Sequence, residues 1–293
     1  MSVQYYSPSS LSETLELLER HSSYKLVAGG TDLVPWMNLR KLKNCEGFIY
    51  IGNVSEMKKI VEHGDHIFVG ALATHATIAD SEVMKQKAYN AWYASYHMGT
   101  PAIRNTGTVG GNLVNASPAG DSCVALLAAG AVAHVKSRQE NRMIPLDEFF
   151  VDKGKTALKP GEILYGVSLP LAAPGVKKGW SFQRSGTLKG SSTAIINLAV
   201  EMEQDREGIC RACRIAAGAV APAPVRLYRL EEIFAGKKVD MSLIEQAVNE
   251  IDDHIHPIDD TYATAWYRRK VIKVLLKRAL VEAGGLATEL KEA

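Results

Sequence analysis

The stretch from 99 to 121 is the strongest constraint on what this chain folds into. It contains Thr106-Gly107-Thr108-Val109-Gly110-Gly111-Asn112-Leu113-Val114-Asn115-Ala116-Ser117-Pro118-Ala119-Gly120-Asp121. No regular apolar period runs through it, so it reads as a long irregular segment. A loop of that length inside a compact domain is usually functional or disordered. Hydroxyls (Thr106, Thr108, Ser117), amides (Asn112, Asn115) and one carboxylate (Asp121) alternate with glycines. These are the groups that hold a polyphosphate and a polyol through uncharged hydrogen bonds. Asp121 reads in two ways, as an acceptor for a ribose hydroxyl or as the N-cap of a helix running to about 129. The whole stretch also has a plain reading, a decorated surface loop.

A second glycine-rich segment lies upstream. A short apolar strand at 25–28 runs into Gly29-Gly30-Thr31-Asp32, and a helical stretch over 33–40 follows. Consecutive backbone N–H groups with no Cβ in the way form an anion nest. A helix start beyond it adds its dipole to the attraction for phosphate. The loop holds no Lys or Arg. It matches neither G-x-G-x-x-G nor G-x-x-x-x-G-K-[ST], which excludes the usual dinucleotide fingerprint and the P-loop. Taken alone, it is also what a plain strand–turn–helix corner with a positive-φ glycine looks like.

The rest of the chain supplies the frame. At 293 residues it has room for one large or two ordinary domains, with a core that needs no disulfide. Apolar residues at 46% and charged residues at 23% exclude disorder, collagen and coiled coil for the chain as a whole. The 34 basic and 32 acidic residues give no reason to expect nucleic acid or an anionic membrane as partner. The first ten residues do not look like a signal peptide, and the apolar run at 123–133 is shorter than the roughly 20 residues a membrane span takes. Four scattered cysteines then point to the cytoplasm and reduced thiols.

Further strands are expected at 48–51, 67–73, 132–135 and 163–169, and helices at 11–18, 78–84 and 88–98. The prolines and lysines of 170–178 mark the best domain boundary. Beyond them the texture changes to strands at 180–184, 193–203 and 209–220, the last two joined by a hairpin-like 205–208. Helices over 227–235, 242–250 and 262–283 close the chain.

Other candidates are weaker. Cys210 and Cys213 form the only close cysteine pair, but strand side chains three apart point to opposite faces and cannot chelate one ion. The eight histidines are scattered, and His254-x-His256 reads as part of an exposed acidic loop. The last helix is basic and amphipathic. It reads as core-packed with a wet basic face, with a subunit interface as the alternative.

Taken together, Val27-Ala28-Gly29-Gly30-Thr31-Asp32-Leu33 and Thr108 to Asp121 resemble the two FAD-binding signatures of the medium, flavin-carrying subunit of molybdenum hydroxylases. This is the xanthine dehydrogenase and carbon monoxide dehydrogenase flavoprotein family. The linking Gly99-Thr100-Pro101-Ala102-Ile103-Arg104-Asn105 also fits, and the resemblance spans nearly the whole chain.

The resemblance implies an α+β fold. A two-subdomain FAD-binding domain of the vanillyl-alcohol oxidase/PCMH type covers 1–175, with subdomains at about 1–58 and 59–175. A C-terminal α+β domain, a three-stranded sheet plus a helix bundle, covers 176–293. It further implies that Leu26, Val27, Ala28, Gly29, Gly30, Thr31, Asp32 and Leu33 bind the FAD pyrophosphate side. Thr108, Gly110, Gly111, Asn112, Ser117 and Asp121 would grip the remainder, and Leu164 would lie near a ring of the cofactor.

No catalytic side chain and no metal ligand is implied on this chain. The partners implied are a large subunit with the molybdenum cofactor and a small subunit with 2Fe–2S clusters, in a dimer of heterotrimers. Electrons would pass from those clusters to dissociable FAD and on to an acceptor such as NAD, in a xanthine or purine dehydrogenase-like enzyme. The alternative is a non-catalytic assembly or scaffold subunit with a vestigial nucleotide pocket. One departure stands out. Some relatives carry a lysine directly after the phenylalanine matching Phe182, where this sequence has Gln183 and then Arg184.

Overall fold

The computed structural model describes residues 4–42, 45–187 and 193–286. The first unit comprises β1 (Gln4–Tyr6), α1 (Leu11–Arg20), β2 (Lys25–Val27), α2 (Leu33–Asn38) and β3 (Gly47–Tyr50). Its strands are parallel, in the order β1-β3-β2. Ser10 caps α1 by accepting the Glu13 N–H at 3.2 Å, and Leu11 and Leu15 bury its inner face. A cap of this kind contributes about 1 kcal/mol. The end of β2 is where the first glycine segment begins.

The second unit follows in the order β4 (Ile60–Glu62), β5 (His66–Gly70), α3 (His75–Ala79), α4 (Glu82–Lys87), α5 (Tyr89–Tyr96), α6 (Pro101–Thr106), α7 (Val109–Asn115) and α8 (Asp121–Ala128). Then come β6 (Val132–Lys136), β7 (Asn141–Pro145), α9 (Leu146–Phe149), β8 (Phe150–Asp152), β9 (Lys155–Thr156) and β10 (Ile163–Pro170). Five strands form an antiparallel sheet, β4-β5-β10-β6-β7. Beyond Asp121, helix α8 is buried all round, Ser122 to Ala128 without exception, as a central core helix requires.

The third unit holds β11 (Lys177–Gly186), β12 (Ala194–Gln204), β13 (Cys210–Gly218), β14 (Val225–Arg226), α10 (Tyr228–Glu232), α11 (Met241–Glu250) and α12 (Ala265–Gly284). Its sheet runs β11-β12-β13-β14, so the short β14 adds a fourth strand to the three expected. The 205–208 connection is a tight turn, with the Gly208 N–H donating to the Asp205 carbonyl at 3.1 Å and Gly208 at φ +82°. Thr264 caps α12, and Gly285 ends it at φ +77°.

Two apolar clusters result. The larger fills the first two units, and Phe182, Ala199 and Ala216 of the third unit reach into it. The smaller lies between the last sheet and its helices. Polar contacts fasten the third unit to the second. Asn90 Nδ2 donates to the Val200 carbonyl at 3.0 Å, and the Ala219 N–H donates to the Pro118 carbonyl at 2.7 Å.

Three sequence-based expectations are corrected. The stretch 99–121 is not an irregular loop but holds α6 and α7. Thr100 and Thr108 cap them, and Pro101 occupies the first turn of α6. Cys210 and Cys213 do not face opposite ways. The ladder pairs Ala212 with Glu203 and Cys210 with Gln204, so one extra residue bulges out of β13 and both thiols enter the same core. Burial pushes the Cys210 thiol up to about 11 and the Cys213 thiol well above its ordinary value. Finally, the basic face of α12 is not uniformly wet. Arg268 is buried, donates to both oxygens of Asp260 at 2.8 Å, and also donates to the carbonyls of Ile195 and Ile258.

Candidate cofactor cleft

The two glycine segments meet. The Gly29 Cα lies so close to the chain at 106–107 that a Cβ there would sit 1.8 Å from the Thr106 carbonyl oxygen. Glycine at this position serves loop-to-loop contact, and Gly30 supplies the positive φ of the turn, +69°. The second segment is stitched in turn to 71–75. The His75 N–H donates to the Gly107 carbonyl at 3.1 Å, Val109 N–H to Ala73 at 3.0 Å and Gly110 N–H to Ala71 at 2.8 Å. Three stretches distant in sequence thus form one wall.

A cleft of about 710 Å³ opens above that wall. Of the fifteen site residues expected from sequence, fourteen line it: Leu26 to Leu33, Thr108, Gly110, Gly111, Asn112, Asp121 and Leu164. Ser117 does not line it. Its carbonyl closes a turn with the Gly120 N–H at 3.0 Å.

Backbone polarity identifies what the cleft suits. Among the described residues, the N–H groups of Gly29, Gly30, Thr31 and Asp32 donate to no other atom of the chain. Four successive donors without an acceptor form a cradle for an anion such as a pyrophosphate. The second loop is satisfied internally, with the Gly111 N–H donating to Thr108 Oγ1 at 3.1 Å. A Cβ on Gly111 would meet only that hydroxyl, at 3.0 Å, and otherwise project into the cleft. The Asp32 carboxyl stands at the edge of the nest, and partial desolvation raises its pKa above the ordinary value.

Asp121 is not the helix cap, and each of its oxygens already accepts a hydrogen bond within the chain. Gly120 takes the N-cap position of α8, and no side chain caps that helix. The Asp121 carboxylate accepts from Asn197 Nδ2 at 2.6 Å and from Arg184 Nε at 3.0 Å. Burial raises its pKa, against the pull of Arg184 and Asn197. Arg184 lines the cleft, whereas Gln183 on the next strand position turns to the other side and donates to Ser181 and Glu282. Arg184, and not Gln183, therefore brings a cation to this end of the cleft.

The sequence reading missed several wall residues. Trp36, Met98, Ile103 and Val114 add apolar surface, and Glu162 stands among them, held by Arg142 through two 2.8 Å bonds. His75 is the least expected. It is 1% exposed, and burial pushes its pKa down to about 4. Its ring approaches Ser95 Oγ at 3.4 Å.

An unfolded histidine titrates near 6.5, so the unfolded chain binds the extra proton first as pH falls. Stability is full above about 6.5 and drops between there and about 4, by up to roughly 3 kcal/mol from this group. Urea unfolding from pH 7 to 4 measures it. His75→Leu is expected to show a shallower fall over that window, and an unchanged slope would contradict the burial of a neutral ring.

Comparison with known proteins agrees with this architecture. Residues 1–172 match the family described as the FAD binding domain in molybdopterin dehydrogenase. Residues 183–283 match the CO dehydrogenase flavoprotein C-terminal domain. The chain belongs to this family of FAD-carrying medium subunits. More particularly, it is 31% identical to the nicotine 6-hydroxylase medium subunit of Paenarthrobacter nicotinovorans, covering 96% of this chain and 97% of that one. It is 29% identical to the glyceraldehyde dehydrogenase medium chain of Sulfolobus acidocaldarius, over 95% and 97%. Among solved structures, it superposes on carbon monoxide dehydrogenase from Hydrogenophaga pseudoflava with a TM-score of 0.91 and 27% identity, over 97% of both chains. Among the described residues, no helix is long and apolar enough to cross a membrane.

Proposed function

We propose that this chain is the electron-relay subunit of a three-chain molybdenum hydroxylase. It binds FAD in the 710 Å³ cleft and receives electrons from the 2Fe–2S clusters of a small partner. It delivers them to a soluble acceptor such as NAD. The observation that carries the reading is the row of four N–H groups at 29–32 that, among the described residues, donate to nothing in the chain, lining the same cleft as the second loop.

FAD supplies the redox chemistry when bound, and the chain's own residues bind and orient it. Gly29 to Asp32 would hold the pyrophosphate by backbone donors, with no cation needed. Gly111 would let the cofactor approach the backbone of α7. Leu26, Leu33, Trp36 and Leu164 would pack its apolar surface and exclude water. Arg184, set in place by Asp121, would present positive charge at the far end. No side chain of this subunit is required as an acid or base.

The molybdenum cofactor and the clusters belong on partner chains, and substrate is oxidised there. The nicotine-hydroxylating relative supports an N-heteroaromatic substrate, such as a purine in a xanthine dehydrogenase-like enzyme. The scattered thiols suit a cytoplasmic chain.

An absorption spectrum of the purified chain tests the core of this reading. Flavin bands near about 370 and 450 nm, with FAD released by heat, are the expected result. A folded chain that takes up no added FAD would shift the reading to a non-catalytic assembly subunit. Gly111→Val is the sharper probe. The new side chain meets only one hydroxyl, so the fold is expected to survive while FAD content falls to background. Equal flavin content in that variant and the parent would remove the second loop from the site.

A further inference from the structure

A second cavity, of about 400 Å³, lies on the other side of the Asp121–Arg184 pair. It shares those two residues with the cofactor cleft but is otherwise built from α5, β11 and α12. Tyr89, Tyr93 and Phe182 give it aromatic walls, and Glu282 stands at its edge. Neighbouring rings hold these walls in place. Tyr89 stacks on Trp180 at 5.4 Å, and Tyr93 lies 6.0 Å from Phe182 and 4.0 Å from His97.

The charges in this cavity are uneven. Asp121 is matched by Arg184. Glu282 accepts hydrogen bonds from the Ser181 hydroxyl and the Gln183 amide, both at its Oε2 atom. Among the described residues, no lysine, arginine or histidine forms an ion pair with it, and its Oε1 atom takes no hydrogen bond. His97 has its Nδ1 against the Tyr93 carbonyl at 3.0 Å. The result is one exposed carboxylate, without an ion pair among the described residues, beside three aromatic side chains. Aromatic faces attract cations through the ring quadrupole, and a carboxylate adds a charge-assisted hydrogen bond. An anion meets the wrong charge here, and a neutral ring leaves the carboxylate unused.

We propose that this cavity binds a small organic ammonium ion, a protonated amine carrying an apolar group, with Glu282 as its counter-ion and Tyr89, Tyr93 and Phe182 around the apolar part. The site does not depend on what fills the cofactor cleft. It does touch that cleft through Asp121 and Arg184, so an occupant would sit directly behind its wall.

Ligand-observed NMR titration of the full chain, loaded with FAD, tests this with benzylammonium, benzyl alcohol and benzoate. These three probes share a ring and differ in charge. Saturable binding of benzylammonium is expected, with benzyl alcohol at least about tenfold weaker and benzoate undetected. Glu282→Gln is expected to erase the preference for the cation, and Tyr93→Leu to weaken both binding probes. Flavin content, read separately from the visible spectrum, is expected to be unchanged in Glu282→Gln. Should that variant not fold, the comparison of the three probes on the parent chain still decides. Absence of saturable binding, equal binding of alcohol and ammonium, or a cation preference that survives Glu282→Gln would each overturn the proposal.

Discussion

Replacing Gly29 with alanine is expected to leave the purified chain colourless and less stable. The added methyl carbon would lie 1.8 Å from the Thr106 carbonyl oxygen and 2.5 Å from its carbon. Both are backbone atoms, so no side-chain rotation relieves the clash. The loops must separate, and each holds part of the proposed FAD site. Overpacking of this kind costs about 1–3 kcal/mol even where side chains can adjust. Here displacement of the 29–32 turn adds to it, because that turn rests on the backbone of 106–107 and carries the four N–H groups without a partner among the described residues. Gly111→Val differs in kind, since it fills the cleft and spares the wall. Two measurements separate them, bound flavin per chain and the melting temperature without added FAD. Gly29→Ala lowers both, and Gly111→Val lowers only the first. A Gly29→Ala chain with full flavin and the parent's melting temperature would mean that the two segments do not meet as described.

The local chemistry of the site was legible in the sequence, and its long-range partners were not. The Gly29-Gly30 pair after a strand and the hydroxyl- and amide-rich second segment both line the cleft. What the sequence hid is instructive. Helix α7 carries two consecutive glycines, Gly110 and Gly111, in its first turn, each costing about 1 kcal/mol in a helix, so propensity argues against it. Thr108 as N-cap and the hydrogen bonds to Ala71 and Ala73 outweigh that cost. The cap residues were visible at Thr100-Pro101 and Thr108, and a reading by capping signals rather than by apolar period would have found both helices. The bulge that turns Cys210 and Cys213 to one core depends on the neighbouring strand and leaves no mark on the C-x-x-C spacing. His75 had no signal either, since it becomes part of the wall only because 107–110 is sewn to 71–75.

Asp121 shows the same limit most plainly, because its partners lie far along the chain in β11 and β12. Asp121→Ala is expected to destabilise the protein strongly. The side chains of Asp121 and Arg184 are 13% and 16% exposed, so the ion pair between them is mostly screened from water. Removing the Asp121 carboxylate takes an ionic acceptor from a mostly buried guanidinium, at the lower end of the about 3–5 kcal/mol typical of breaking a buried pair. Asn197, fully buried, would also lose an acceptor at 2.6 Å and keep only the Ala119 carbonyl at 3.1 Å. For a chain of 293 residues about 3 kcal/mol corresponds to a fall in melting temperature of roughly 5 °C.

Asp121→Asn separates two roles. The amide oxygen can still accept from Asn197, while the charge facing Arg184 is gone. If Asp121 acts by seating Arg184 and the third unit, flavin content and melting temperature decline together, Ala more than Asn. If it instead contacts FAD directly, Asp121→Asn keeps most of the melting temperature and loses flavin. Thermal melts and flavin content of the two variants, measured side by side, decide between these roles. An Asp121→Ala chain that melts with the parent would refute the structural one.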